Sequence, residues 1–72
     1  MDDLEFCGEY VERAAKYPGY FDRDMAYQEL SIYLGIDENT VDDAIDNLIA
    51  DGVIQELENG AISLVRLPDD AA

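Results

Sequence analysis

The chain has 72 residues, room for one small domain that buries only about 60% of the surface its unfolded chain exposes. Almost half of it, 49%, is apolar, and five Tyr and two Phe supply bulky core material, which excludes a disordered acidic tail. Eighteen carboxylates face four cations (Arg13, Lys16, Arg23 and Arg66) for a net charge of −14 with no His; that field repels phosphate backbones and anionic membranes and attracts basic proteins.

The first element is a helix expected from about Asp3 to Tyr17. Asp2 or Asp3 caps it and Pro18-Gly19 stops it. Leu4, Cys7, Val11, Ala14 and Ala15 recur at helical spacing as one apolar stripe, with Phe6, Tyr10 and Tyr17 beside it as an aromatic one. A loop through Tyr20 and Phe21 leads to a second helix, expected from about Met25 to Leu34, capped by Asp24 and ended at Gly35. Its inner face is read as Ala26, Leu30, Tyr33 and Leu34. The third helix is expected from about Glu38 to Asp51, between a cap at Asp37 and a stop at Gly52. Val41, Ala44, Ile45, Leu48 and Ile49 form its inner face, and Glu38, Asn39, Asp42, Asp43, Asp46 and Asn47 its outer face.

A hairpin closes the chain, with strands Val53 to Glu58 and Ala61 to Leu67 about Asn59-Gly60, a dipeptide that favours a two-residue turn. With that loop Leu57 faces Ile62 and Gln55 faces Leu64, so Val53, Leu57, Ile62 and Leu64 point inward. Ile54 and Val65 then form a small outward patch. Residues 1–67 read as one domain and 68–72 as a frayed tail.

The run from Gln28 to Ile54 resembles a winged helix-turn-helix. The residues that carry the resemblance are Leu30, Leu34-Gly35-Ile36 at the turn, Thr40-Val41 opening the third helix, and Leu48 followed by Gly52-Val53-Ile54. The hairpin stands where that family has its wing, and the likeness covers residues 24 to 66. It implies an α+β fold, three helices with a C-terminal two-stranded wing.

The sequence departs from DNA-binding members of that family at the reading positions. There the third helix presents cations and amides to bases and phosphates; here those positions are Glu38, Asn39, Asp42, Asp43 and Asp46, and no cation occurs from Asp24 to Val65. Phosphate neutralisation supplies much of DNA affinity. The leading expectation is therefore a protein-interaction module. Its acidic ridge of Glu38, Asn39, Asp42, Asp43 and Asp46, with Glu56 and Glu58 on the wing, engages a basic, nucleic-acid-binding protein. One version is a DNA-mimic inhibitor of the kind phages encode. Two alternatives stay open. A regulator from a halophile would bind DNA in molar salt, since Asp outnumbers Glu and Lys16 is the single Lys. A structural dimerisation domain would use Phe6, Tyr10, Tyr17, Ile54 and Val65 as a dimer or partner interface.

Catalysis is not expected, for there is no His, no nucleophile–base pair and no Gly-rich phosphate loop. No metal or other cofactor is expected either: Asp37-x-Asn39 begins like a calcium loop but lacks its Gly and closing Glu. The lone Cys7 excludes an internal disulfide and points to a reducing cytoplasm. No apolar run approaches the roughly 20 residues of a membrane span, and Met1-Asp2-Asp3 is the reverse of a basic signal-peptide start.

Overall fold

The computed structural model describes residues 2–17 and 19–65. The tail 68–72, like the expected strand end at Arg66 and Leu67, lies outside the described residues. Helix α1 spans Asp3–Lys16. The Asp2 carboxylate accepts a hydrogen bond from the Glu5 backbone N–H at 2.8 Å, satisfying one of the orphan donors of the first turn. Asp3 and Glu5 at its start and Arg13 and Lys16 at its end match the helix dipole. Cys7, Val11 and Ala15 are the buried stripe. Leu4, expected on that stripe, is 40% exposed at the rim.

Helix α2 (Arg23–Ala26) continues directly into a π-wound segment, Tyr27–Ile32. Its cap is Asp22, whose carboxylate accepts from the Met25 N–H at 3.0 Å, and not the expected Asp24. The start moves forward because Phe21 and Ala26 are both buried core residues in the two positions of a hydrophobic staple. Phe21 also packs against Tyr10, with ring centroids 6.2 Å apart and the planes tilted by 56°.

The C-terminal half of this helix corrects the sequence reading. Ala26 and Leu30 are buried as expected, but Tyr33 is 79% and Leu34 58% exposed. In the π segment each turn takes in more residues than an α-turn, as in the bond from the Tyr33 N–H back to the Gln28 carbonyl. The faces beyond Leu30 are rotated accordingly. Gly35 then turns at φ +76°, and the Ile36 N–H reaches the Leu30 carbonyl at 3.0 Å. Ile36, past the turn, is buried in the core, while Leu34 is not.

Helix α3 (Glu38–Ala50) is capped by Asp37, which accepts from the Asn39 N–H at 2.8 Å. Val41, Ala44 and Ile45 are buried, and the broadest helix–helix interface in the fold is between α3 and α1.

Strands β1 (Ile54–Glu56) and β2 (Ile62–Leu64) form an antiparallel pair in the register Ile54↔Leu64, Gln55↔Ser63, Glu56↔Ile62. The expected register, Leu57 opposite Ile62, is off by one. Gly60 has φ +91° and among the described residues no non-glycine residue has positive φ, so Asn59 does not adopt the conformation a type I′ turn needs. The Leu57 carbonyl accepts from the Gly60 N–H at 2.9 Å, and the Leu57 N–H donates to the Ala61 carbonyl at 2.7 Å. That is a three-residue loop with Gly60 as the bulge residue.

A one-residue slip exchanges the faces of a strand. Ile54, expected outside, is 1% exposed in the core with Ile62, while Leu57, expected inside, is 44% exposed. Each buried Ile is worth about 1.5–3 kcal/mol. The Ile62 N–H also bonds the Phe21 carbonyl at 2.6 Å, fixing β2 to the loop before α2. The result is an α+β fold of three helices followed by a two-stranded antiparallel hairpin, arranged like a winged helix. Among the described residues no helix is long and apolar enough to cross a membrane.

Candidate functional site

The acidic face of α3 is organised around a cation that the sequence reading left in the loop. Arg23 is the first residue of α2, and its side chain crosses to α3 and β1. Its Nη1 donates to Asp42 Oδ1 at 2.8 Å, its Nη2 to Asp46 Oδ1 at 2.8 Å, and its Nε to Glu56 Oε2 at 2.9 Å. A further bond from Nη2 to Glu56 Oε1, at 3.4 Å, makes the Glu56 contact bidentate. Tyr27, one turn after Arg23, donates its phenol proton to the same Asp42 Oδ1. Two residues spaced i, i+4 on α2 and its continuation thus meet two residues spaced i, i+4 on α3.

The electrostatics follow from that geometry. Hydrogen bonds to Glu56, then to Asp46 and Asp42, hold the Arg23 guanidinium far above its ordinary pKa, against an opposing effect of burial. The hydrogen bond to Asp42 raises the Tyr27 phenol, helped by burial and the Asp42 charge and opposed by Arg23. The cluster is half-open to water: the Arg23 side chain is 25% exposed and those of Asp42, Glu56 and Asp46 are 38%, 33% and 63% exposed. Carboxylates four residues apart on a helix repel one another. Asp42 and Asp46 avoid that cost by sharing one guanidinium.

Arg23 therefore divides the expected ridge. Asp42, Asp46 and Glu56 are brought together and tied down. Glu38, Asn39 and Asp43 stand exposed on α3 and Glu58 is exposed in the hairpin loop, all outside the cluster. Sequence reasoning missed Arg23 because it placed the helix start after it. The available signal was the like-charge spacing of Asp42 and Asp46, which calls for a cation, and Arg23 is the nearest one before them in the chain. Among the described residues no group of three or more acids and thiols is placed to hold a metal ion.

Of the expected interface of Phe6, Tyr10, Tyr17, Ile54 and Val65, only part is left exposed. Ile54 is core, for the reason of register given above, and Tyr10 is half-buried against Phe21. Phe6, Tyr17 and Val65 are exposed at 40%, 68% and 48%. Cys7 is fully buried, and burial, followed by the charge of Asp3, pushes its thiol above the ordinary range. No family model, curated protein or solved structure matches this chain.

Proposed function

We propose that this chain is a winged-helix-type protein-interaction module. It engages a basic partner through the outer face of α3 and the hairpin, and in its sharpest form it imitates the charge of DNA to occupy a nucleic-acid-binding protein. One observation carries the reading. On the face where a DNA-reading helix keeps free cations, Glu38, Asp43 and Asp46 are exposed, and Arg23, which reaches this face, is engaged by three carboxylates. One positive charge against three negative leaves that cluster at −2. A guanidinium so committed has little left to offer a phosphate. The tethering adds preorganisation, because carboxylates already held in place lose less side-chain entropy when a partner binds.

The Arg23 cluster also decides how the reading is tested. Reversing Asp42 or Asp46 would break the cluster and confuse binding with folding, so the charges to reverse are Glu38 and Asp43. Glu38→Lys with Asp43→Lys is expected to stay folded, with a melting temperature lowered by no more than about 5 °C for the acid lost from the first turn of α3, and to weaken binding to a histone, used as a basic DNA-binding probe, with a shallower salt dependence. Wild-type affinity in that variant would refute the α3 face as the site. Fluorescence anisotropy with duplex DNA, from low salt to molar KCl, is expected to show no binding. Binding at any salt would reject the module in favour of a DNA-binding regulator.

A further inference from the structure

We propose that Ile32, Tyr33 and Leu34 form an apolar anchor that seats in a cleft of the same basic protein partner, next to the acids of α3; this deepens the reading above and rests on it. The three residues are consecutive, and they are 76%, 79% and 58% exposed. Side chains of that size and exposure present on the order of a few hundred Å² of surface, the range in which apolar patches mark interaction sites. Their exposure is produced by the fold. An α-helical continuation would place Tyr33 and Leu34 on the Ala26–Leu30 face, whereas after the π-wound segment and the Gly35 turn both are exposed and Ile36 is buried. π-winding is rare and is frequently found at functional sites.

Charge decides what covers the anchor. The triad is bracketed in the chain by exposed Glu29 on one side and exposed Asp37 and Glu38 on the other. A two-fold pair of copies would set this acidic rim against itself, with −14 on each chain. An anionic membrane is repelled for the same reason. A basic protein with an apolar cleft satisfies both parts of the surface. The triad precedes α3 by only three residues, Gly35 to Asp37, so the apolar side chains stand close in the chain to Glu38, where the exposed acids of α3 begin.

Two probe peptides of equal length and equal positive charge separate the contributions. One is an amphipathic Lys/Leu helix and the other has Ser in place of Leu. The wild-type chain is expected to bind the Lys/Leu peptide about tenfold more tightly than the Lys/Ser peptide. The variant Ile32→Ser, Tyr33→Ser, Leu34→Ser is expected to fold with unchanged circular dichroism, to lose that preference, and to bind the Lys/Ser peptide as the wild type does. A triple variant that keeps the preference overturns the anchor alone, provided Glu38→Lys with Asp43→Lys still loses affinity for both peptides. Absence of binding of either peptide to the wild-type chain overturns the anchor together with the module. Sedimentation showing a wild-type dimer that the triple variant converts to monomer overturns it in favour of a second copy.

Discussion

Replacing Arg23 by Gln keeps a long polar side chain at the start of α2 and removes the charge that joins α2, α3 and β1. Three ion pairs are lost, to Asp42, Asp46 and Glu56. Partly exposed pairs contribute roughly 0.2–1 kcal/mol each, and three carboxylates are left facing one another, so the expected loss is about 2 kcal/mol. For a domain this small that lowers the melting temperature by about 10 °C. Salt provides an internal control. At 1 M the screening length falls to about 3 Å, which suppresses the residual repulsion, so the deficit of Arg23→Gln shrinks as KCl is raised. The sharpest test is a sign change. Asp42→Asn destabilises the wild type, because it weakens the bonds from Arg23 and Tyr27. In the Arg23→Gln background the same change relieves repulsion and is neutral or stabilising. Thermal or urea unfolding of the four proteins of this cycle measures it. Equal effects of Asp42→Asn in both backgrounds, or an Arg23→Gln protein as stable as wild type at low salt, would refute the reasoning.

The register of the hairpin predicts that Ile54→Ala costs about 2–5 kcal/mol, as in a buried position, while Leu57→Ala costs under about 1 kcal/mol; urea unfolding that reversed this order would restore the two-residue loop. Gly60→Ala places a Cβ on a residue at φ +91° and is expected to cost about 1–2 kcal/mol, read as a drop in melting temperature. Tyr27→Phe removes the phenol bond to Asp42 and is expected to cost about 1 kcal/mol at neutral pH. The Tyr27 phenol is raised above its ordinary value near 10. Its contribution is therefore complete below about pH 10 and is lost as pH rises through the higher folded value. The gap between wild type and Tyr27→Phe should close in alkaline unfolding experiments, and a gap that widened there would contradict the assignment.

Much of this fold was legible in the sequence because the signals that mark element ends act over a few residues. Asp2 and Asp37 cap their helices, and Gly35 and Gly60 take up positive φ. Cys7, Val11, Val41 and Ile45 are buried on the faces their spacing assigns. The acidic outer face of α3 was legible as well, since composition and periodicity together leave those acids nowhere else to go.

Three features were settled only by the tertiary structure. The hairpin register depends on which residues the helices accept against them. Burial of Ile54 and Ile62, with the Ile62 bond to Phe21 across the fold, outweighed the local preference of Asn59-Gly60 for a tighter turn. The outward rotation of Tyr33 and Leu34 depends on π-winding, which apolar spacing does not record. The Arg23 cluster joins residues 19, 23 and 33 positions apart, where no local rule applies. Backbone hydrogen bonding near the ends of α1 and α3 is decided by side chains within three or four residues, so it could be read locally. Pairing between distant charges and choice of strand face are decided by the free energy of the whole packed core, and only the folded chain expresses that.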